Sequence, residues 1–170
     1  MKKIICLCIS LCTLIVITGC SKKTGAVNLG GLYTMHASVE LNGFSSEADI
    51  NRLGNGQWEI SFTKPESLNG LGVSYQNENA DITYMGLKFQ IPREDVPVQA
   101  IATNLTSVLE KLAYSKDIKY TENNGKVTAK GEVDNSRFVA VFEKKSNRLL
   151  SLEMEDVKLK ADFSDFKPMN

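Results

Sequence analysis

Four thiols, one imidazole and a few tight groups of carboxylates are the side chains in this 170-residue chain suited to covalent, acid–base or metal chemistry. Cys6, Cys8 and Cys12 lie inside an apolar run, and Cys20 closes the stretch Ile17-Thr18-Gly19-Cys20. His36 is the single histidine. Tyr33, Met35, Ala37, Val39 and Leu41 alternate with Thr34, His36, Ser38 and Glu40, which puts the imidazole on the polar, solvent side of a strand. No second histidine or spare thiol exists to build a mixed metal site around it, and no Gly-x-Ser-x-Gly elbow offers a nucleophile. Glu153, Glu155 and Asp156 could attract calcium, but they lack the dense Asp/Asn/Gly spacing of a calcium loop and read as a solvated strand edge. Glu94 and Asp95 could pair as acid and base; just ahead of a helix they suit the positive end of its dipole better. Asn104-Leu105-Thr106 fits a glycosylation sequon but falls inside a predicted helix, as a chance match would. No catalytic residue, no metal ligand and no cofactor is expected.

That leaves Cys20. Ahead of it stand two lysines (Lys2, Lys3), an apolar run from Ile4 to Ile17 and small residues, the parts of a secretory signal peptide. The run is ~14 residues, against the ~20 a helix needs to span a bilayer core. Ile17-Thr18-Gly19-Cys20 resembles the bacterial lipobox. The resemblance implies that residues 1–19 are removed and that Cys20 is lipid-modified on its thiol as the first residue of the mature protein. A diacylglyceryl thioether with a further N-acyl chain would supply the two or more chains that durable anchoring needs. The expected location is the extracytoplasmic face of the cell membrane.

Removing the leader takes Lys2 and Lys3 with it, leaving 18 Lys+Arg against 20 Asp+Glu. That near-balance argues against a nucleic-acid partner, which would show a basic stripe. With no thiol left for disulfides, the exported domain must be held by its core alone, and ~150 residues suffice for that.

Residues 20–31 read as the acylated cysteine and a flexible tether, with Lys22 and Lys23 placed to meet anionic head groups. From residue 32 to 170 a single domain is expected, and its period is two. Asn42-Gly43 is a strong two-residue hairpin signal. Further turns at Gly54-Asn55-Gly56, Asn123-Asn124-Gly125, Asp134-Asn135 and Ser146-Asn147 separate alternating runs. One segment breaks the pattern. Val98, Ile101, Ala102, Leu105, Val108, Leu109 and Leu112 recur at three and four residues, which predicts a helix with Asp95 or Val96 near its cap and Pro97 in its first turn.

The chain is therefore predicted as mainly β (α+β), with about ten or eleven antiparallel strands in hairpin order and one long helix inserted midway. Strands lie ~4.8 Å apart, so ten of them span ~50 Å, while a helix covers only ~10–12 Å. One helix cannot cover a flat apolar face of that width. The sheet must curl strongly into a half-barrel with the helix on its concave face.

This layout is similar to the half-barrel of the lipoprotein carrier and receptor proteins and of mycobacterial-type lipid-binding lipoproteins. The likeness lies in element order, in Gly56 to Pro65 followed by Leu68-Asn69-Gly70-Leu71, and in the closing run Leu159 to Phe166. The chain lacks their helix before the first strand. The resemblance implies a non-enzymatic protein that holds a lipid or acyl chain. Met35, Trp58, Phe62 and Phe89 are the expected lining on the strands before the helix. Leu105 and Leu109 on the helix and Phe138 and Phe142 beyond it complete the expected cavity. A dry core requires the same inward face, and the width argument tilts toward a cavity. Clostridial-type lipoproteins of this fold imply the alternative, a module that docks or regulates a cell-wall enzyme or assembly factor through surface residues such as Tyr114, Lys116, Tyr120 and Arg148.

Overall fold

The computed structural model describes residues 29–97 and 100–169. The expected leader, Cys20, the tether as far as residue 28 and Val98 lie outside the described residues.

The alternating runs form strands where their period predicts them. They are β1 (Tyr33–Leu41), β2 (Phe44–Gly54), β3 (Gln57–Lys64), β4 (Gly72–Gln76), β5 (Asn79–Tyr84) and β6 (Leu87–Pro92), then β7 (Lys119–Asn123), β8 (Lys126–Val133), β9 (Ser136–Glu143), β10 (Leu149–Met154) and β11 (Leu159–Pro168). All eleven join one antiparallel sheet in the order β6-β5-β4-β3-β2-β1-β11-β10-β9-β8-β7. The first and last strands thus meet in the middle, and β6 and β7 are the two edges. The chain travels from one edge to the other through α1 (Ile101–Tyr114), the single α-helix among the described residues.

Hairpin chemistry fixes the register. Asn42 and Gly43 both have positive φ, as a two-residue turn joining right-twisted strands requires. The pairing then aligns residues into rows across the sheet. One concave row reads Tyr33, Arg52, Trp58, Tyr75, Ala80 and Ile91. The next reads Met35, Ile50, Ile60, Val73, Ile82 and Phe89.

Curling of the sheet shows in the helix itself. A helix lying on a flat sheet keeps a polar face in water, yet α1 buries Ile101, Ala102, Asn104, Leu105, Thr106, Val108, Leu109 and Leu112, and Tyr114 is its one exposed residue. Asn104 and Thr106 tolerate this because their side chains bond back to the carbonyls of Ala100 and of Ala102 and Thr103. Leu105 and Leu109 share one core cluster with Met35, Trp58, Phe138 and Phe142.

The start of the helix differs from expectation. Arg93–Asp95 form a separate 3-10 turn, and α1 begins at Ile101 with Ala100 at its cap. Pro97 disfavours helical geometry at the residue before it. Val96 is accordingly extended, and Pro97 instead offers its carbonyl to the Ala100 N–H at 2.8 Å.

Candidate functional site

The inward aromatics end where the alternation sends them. Trp58, Phe142, Leu105 and Leu109 are fully buried, Met35 and Phe138 nearly so, and Phe62 is buried on β3. They pack against one another and against α1. Phe138 lies so close over Gly131 that a Cβ there would come within 2.7 Å of the ring. Depressions of 260–680 Å³ on the described surface have none of these residues in their walls.

Phe89 departs from this group. It is 56% exposed, and Leu87 beside it is 61% exposed. The cause is position along a row. From Met35, Ile50 and Ile60 the burial is nearly complete; Val73 on β4 is 9% exposed, Ile82 on β5 is half-buried, and Phe89 on β6 stands open. The helix reaches as far as β4, where the Tyr75 hydroxyl and Thr103 Oγ1 lie 3.0 Å apart. Beyond it, Ala80 on β5 is still buried, but Ile82 and Phe89 continue the same apolar face with no described helix over them. The β5–β6 turn adds Met85, 82% exposed, so Met85, Leu87 and Phe89 are open apolar side chains at this edge of the sheet.

A polar cluster at the other end of α1 has no counterpart in the sequence reading. Arg52, with 0% exposure, sits on the concave face of β2. Its Nη1 donates to the carbonyls of Gly30 and Gly31, both at 2.8 Å, and its Nη2 to the Tyr114 hydroxyl at 2.5 Å. The guanidinium lies 5.6 Å from the Trp58 ring centroid and 5.4 Å from that of Tyr114. Glu110 Oε1 is 3.5 Å from Nη2 and accepts bonds from the Gly56 N–H (3.0 Å) and Trp58 Nε1 (2.8 Å). Tyr114 also donates to Asn55. The signal was present: Ser46, Ala48 and Ile50 face inward at intervals of two, and the next position in phase is Arg52.

The remaining chemistry-bearing residues lie apart from both places. His36 is on the outer face, its Nδ1 2.8 Å from Asp49 and its Nε2 3.7 Å from Glu47, which also pairs with Lys64. The acidic group of the last hairpin is spent on cross-strand partners: Glu153 pairs with Lys160, and Asp156 with Arg137. Hydrogen bonds from the Arg137 backbone N–H, and next from its side chain, hold the Asp156 carboxyl below the usual range. Among the described residues no group of three His, Cys, Asp or Glu is placed to hold a metal ion. Of the other surface candidates, Lys116 and Arg148 are exposed, Arg148 is paired with Glu143, and Tyr120 is half-buried with its phenol pushed up by burial.

The fold has solved counterparts. An uncharacterised conserved protein from Thermus thermophilus aligns with a TM-score of 0.55 at 14% identity, over 84% of this chain and 82% of its own. A chain in the structure of the CwlD amidase from Clostridioides difficile in complex with the GerS lipoprotein aligns at 0.51 and 13% identity, over 81% and 86%. A LolA superfamily protein from Nitrosomonas europaea aligns at 0.44 and 8% identity, over 86% and 90%. At these identities the likeness is one of fold. No protein-family model and no curated protein matches the sequence.

Proposed function

We propose that this chain is a non-enzymatic lipoprotein, anchored by acylated Cys20 on the outer side of the cell membrane, whose half-barrel holds a lipid acyl chain on its concave face. The observation that carries the reading is the row from Ile60 through Val73 and Ile82 to Phe89, which runs from sealed core to open apolar strip without a change of chemistry. An acyl chain laid along Leu87, Phe89 and Ile82 would remove those side chains from water, worth roughly 1–2 kcal/mol for each half-exposed residue. Helix α1 acts as the lid. Where it lifts from β4, the ligand takes over the contacts of Leu105 and Leu109 with Trp58, Phe62 and the Met35 row, and Phe138 and Phe142 close the far side.

The test is a titration of the mature protein with a fluorescent long-chain fatty acid. Saturable one-to-one binding is expected, weakened at least tenfold by Leu87→Asp or Phe89→Asp, both at exposed positions that leave the core intact. Lack of binding across a panel of lipids, or unchanged affinity in both variants, would overturn the reading.

A second reading, docking of a cell-envelope protein on the same strip, draws on the counterpart solved with an amidase–lipoprotein complex. Affinity capture from membranes separates the two: a stoichiometric protein with no copurifying lipid favours docking.

A further inference from the structure

The guanidinium of Arg52 joins two parts of the chain that are far apart in sequence. On one side are the carbonyls of Gly30 and Gly31, at the point where residues 20–31 enter the domain, with Leu29 fully buried just before them. On the other are Tyr114 and Glu110, in the last turns of α1. We propose that Arg52 makes the entry segment and the C-terminal turn of α1 one cooperative unit, so that unseating either loosens the other.

The physical reason is that a fully buried cation has no water to fall back on. Nη1 has two carbonyls, Nη2 has Tyr114 and the Glu110 carboxylate, and Nε has no partner in the described structure. Losing Gly30 and Gly31 would leave Nη1 bare in a dry site. The side chain then relaxes outward, and in doing so it leaves Tyr114 and strips Glu110 of its counter-charge. A carboxylate near a helix C-terminus is itself unfavourable against the dipole without a cation beside it. The same steps run in reverse, because coupling between two sites is reciprocal. By contrast, the start of α1 is held to the sheet by Tyr75 and Thr103 through a neutral contact with no stake in the entry segment. The helix is therefore pinned at its C-terminal end and freer at its Ile101 end, next to the open strip. This rests on the reading of α1 as a lid and of residues 20–31 as a membrane tether: lid position and the anchoring segment then report on one another.

Amide hydrogen exchange on the ligand-free protein tests the coupling without ligand or membrane, so its failure is separate from failure of the lipid-binding reading. Two amides serve as reporters: Ser115, bonded to the Lys111 carbonyl at 2.9 Å, and Met169, bonded to the Leu32 carbonyl at 3.0 Å. Leu29→Ala is expected to speed exchange at Ser115 about tenfold, and Tyr114→Phe to speed it at Met169, with mid-strand amides of β9 unchanged. In an Arg52→Met background, Leu29→Ala should add nothing at Ser115. If Arg52→Met does not fold, Tyr114→Phe serves as the background, since it removes one partner at an exposed ring. Faster exchange at Met169 in Leu29→Ala with Ser115 unmoved would overturn the proposal, as would an undiminished Leu29→Ala effect in the broken background.

Discussion

Tyr33 and Arg52 face each other across β1 and β2, and together they set how this protein answers to pH and to point mutation. The Tyr33 hydroxyl is buried with no hydrogen-bond partner among the described residues, and desolvation pushes its ionisation far above the ordinary tyrosine range despite the opposing pull of Arg52. A phenol whose folded pKa is raised favours the folded state only while protonated. Its contribution is complete below the unfolded value near 10 and is lost as pH climbs from there toward the folded value. Chemical denaturation between pH 9 and 12 should therefore show stability falling steeply above pH ~10, and Tyr33→Phe should flatten that slope. At neutral pH the same substitution removes an unsatisfied buried hydroxyl and should cost no more than ~1 kcal/mol. Glu110→Ala should cost more, roughly 3–5 kcal/mol in the same assay, because it leaves the buried guanidinium without its carboxylate. These residues were legible only in part. The period of β2 points at Arg52, but periodicity assigns a face and not a partner, and Gly30, Glu110 and Tyr114 are brought to it by folding alone.

Among the elements, the β5–β6 hairpin stands out for its turn. Asn42, Asn77, Asn124, Asn135 and Asn147 take the left-handed conformation in other turns, with Asp134 and Lys158; here the apolar Met85 does so, at φ 50° and 82% exposed. A side chain of that kind costs roughly 1–2 kcal/mol more than glycine in such a position. Met85→Asn should thus raise stability by about 0.5–1 kcal/mol in thermal or urea unfolding while weakening fatty-acid binding, a trade expected where strain is kept for function. In the opposite wing, Gly131→Ala should destabilise by ~1–3 kcal/mol, because the new methyl would strike the Phe138 ring. Hairpins could be read from sequence because Asn-Gly turns dictate register locally. The start of α1 could not, because the apolar stripe begins at Val98, directly after Pro97, while the first helical turn begins only at Ile101.

At the scale of the whole molecule, the mismatch between a wide sheet and a narrow helix is resolved in two ways at once. The central strands curl around α1 until eight of its fourteen residues are buried, and Leu87 and Phe89 on β6 are left exposed. Width alone foretold the curl. It did not foretell that Phe62 would be buried and Phe89 left open, since the two obey the same alternation and differ in how far each strand lies from the helix. The account predicts that this edge carries lipid in the cell. Native mass spectrometry of the mature protein taken from its own membrane tests that most directly. The expected spectrum shows a chain starting at acylated Cys20 with one further, non-covalent lipid that Leu87→Asp and Phe89→Asp remove. A chain that arrives without any retained lipid, bound one-to-one to another envelope protein, would contradict it.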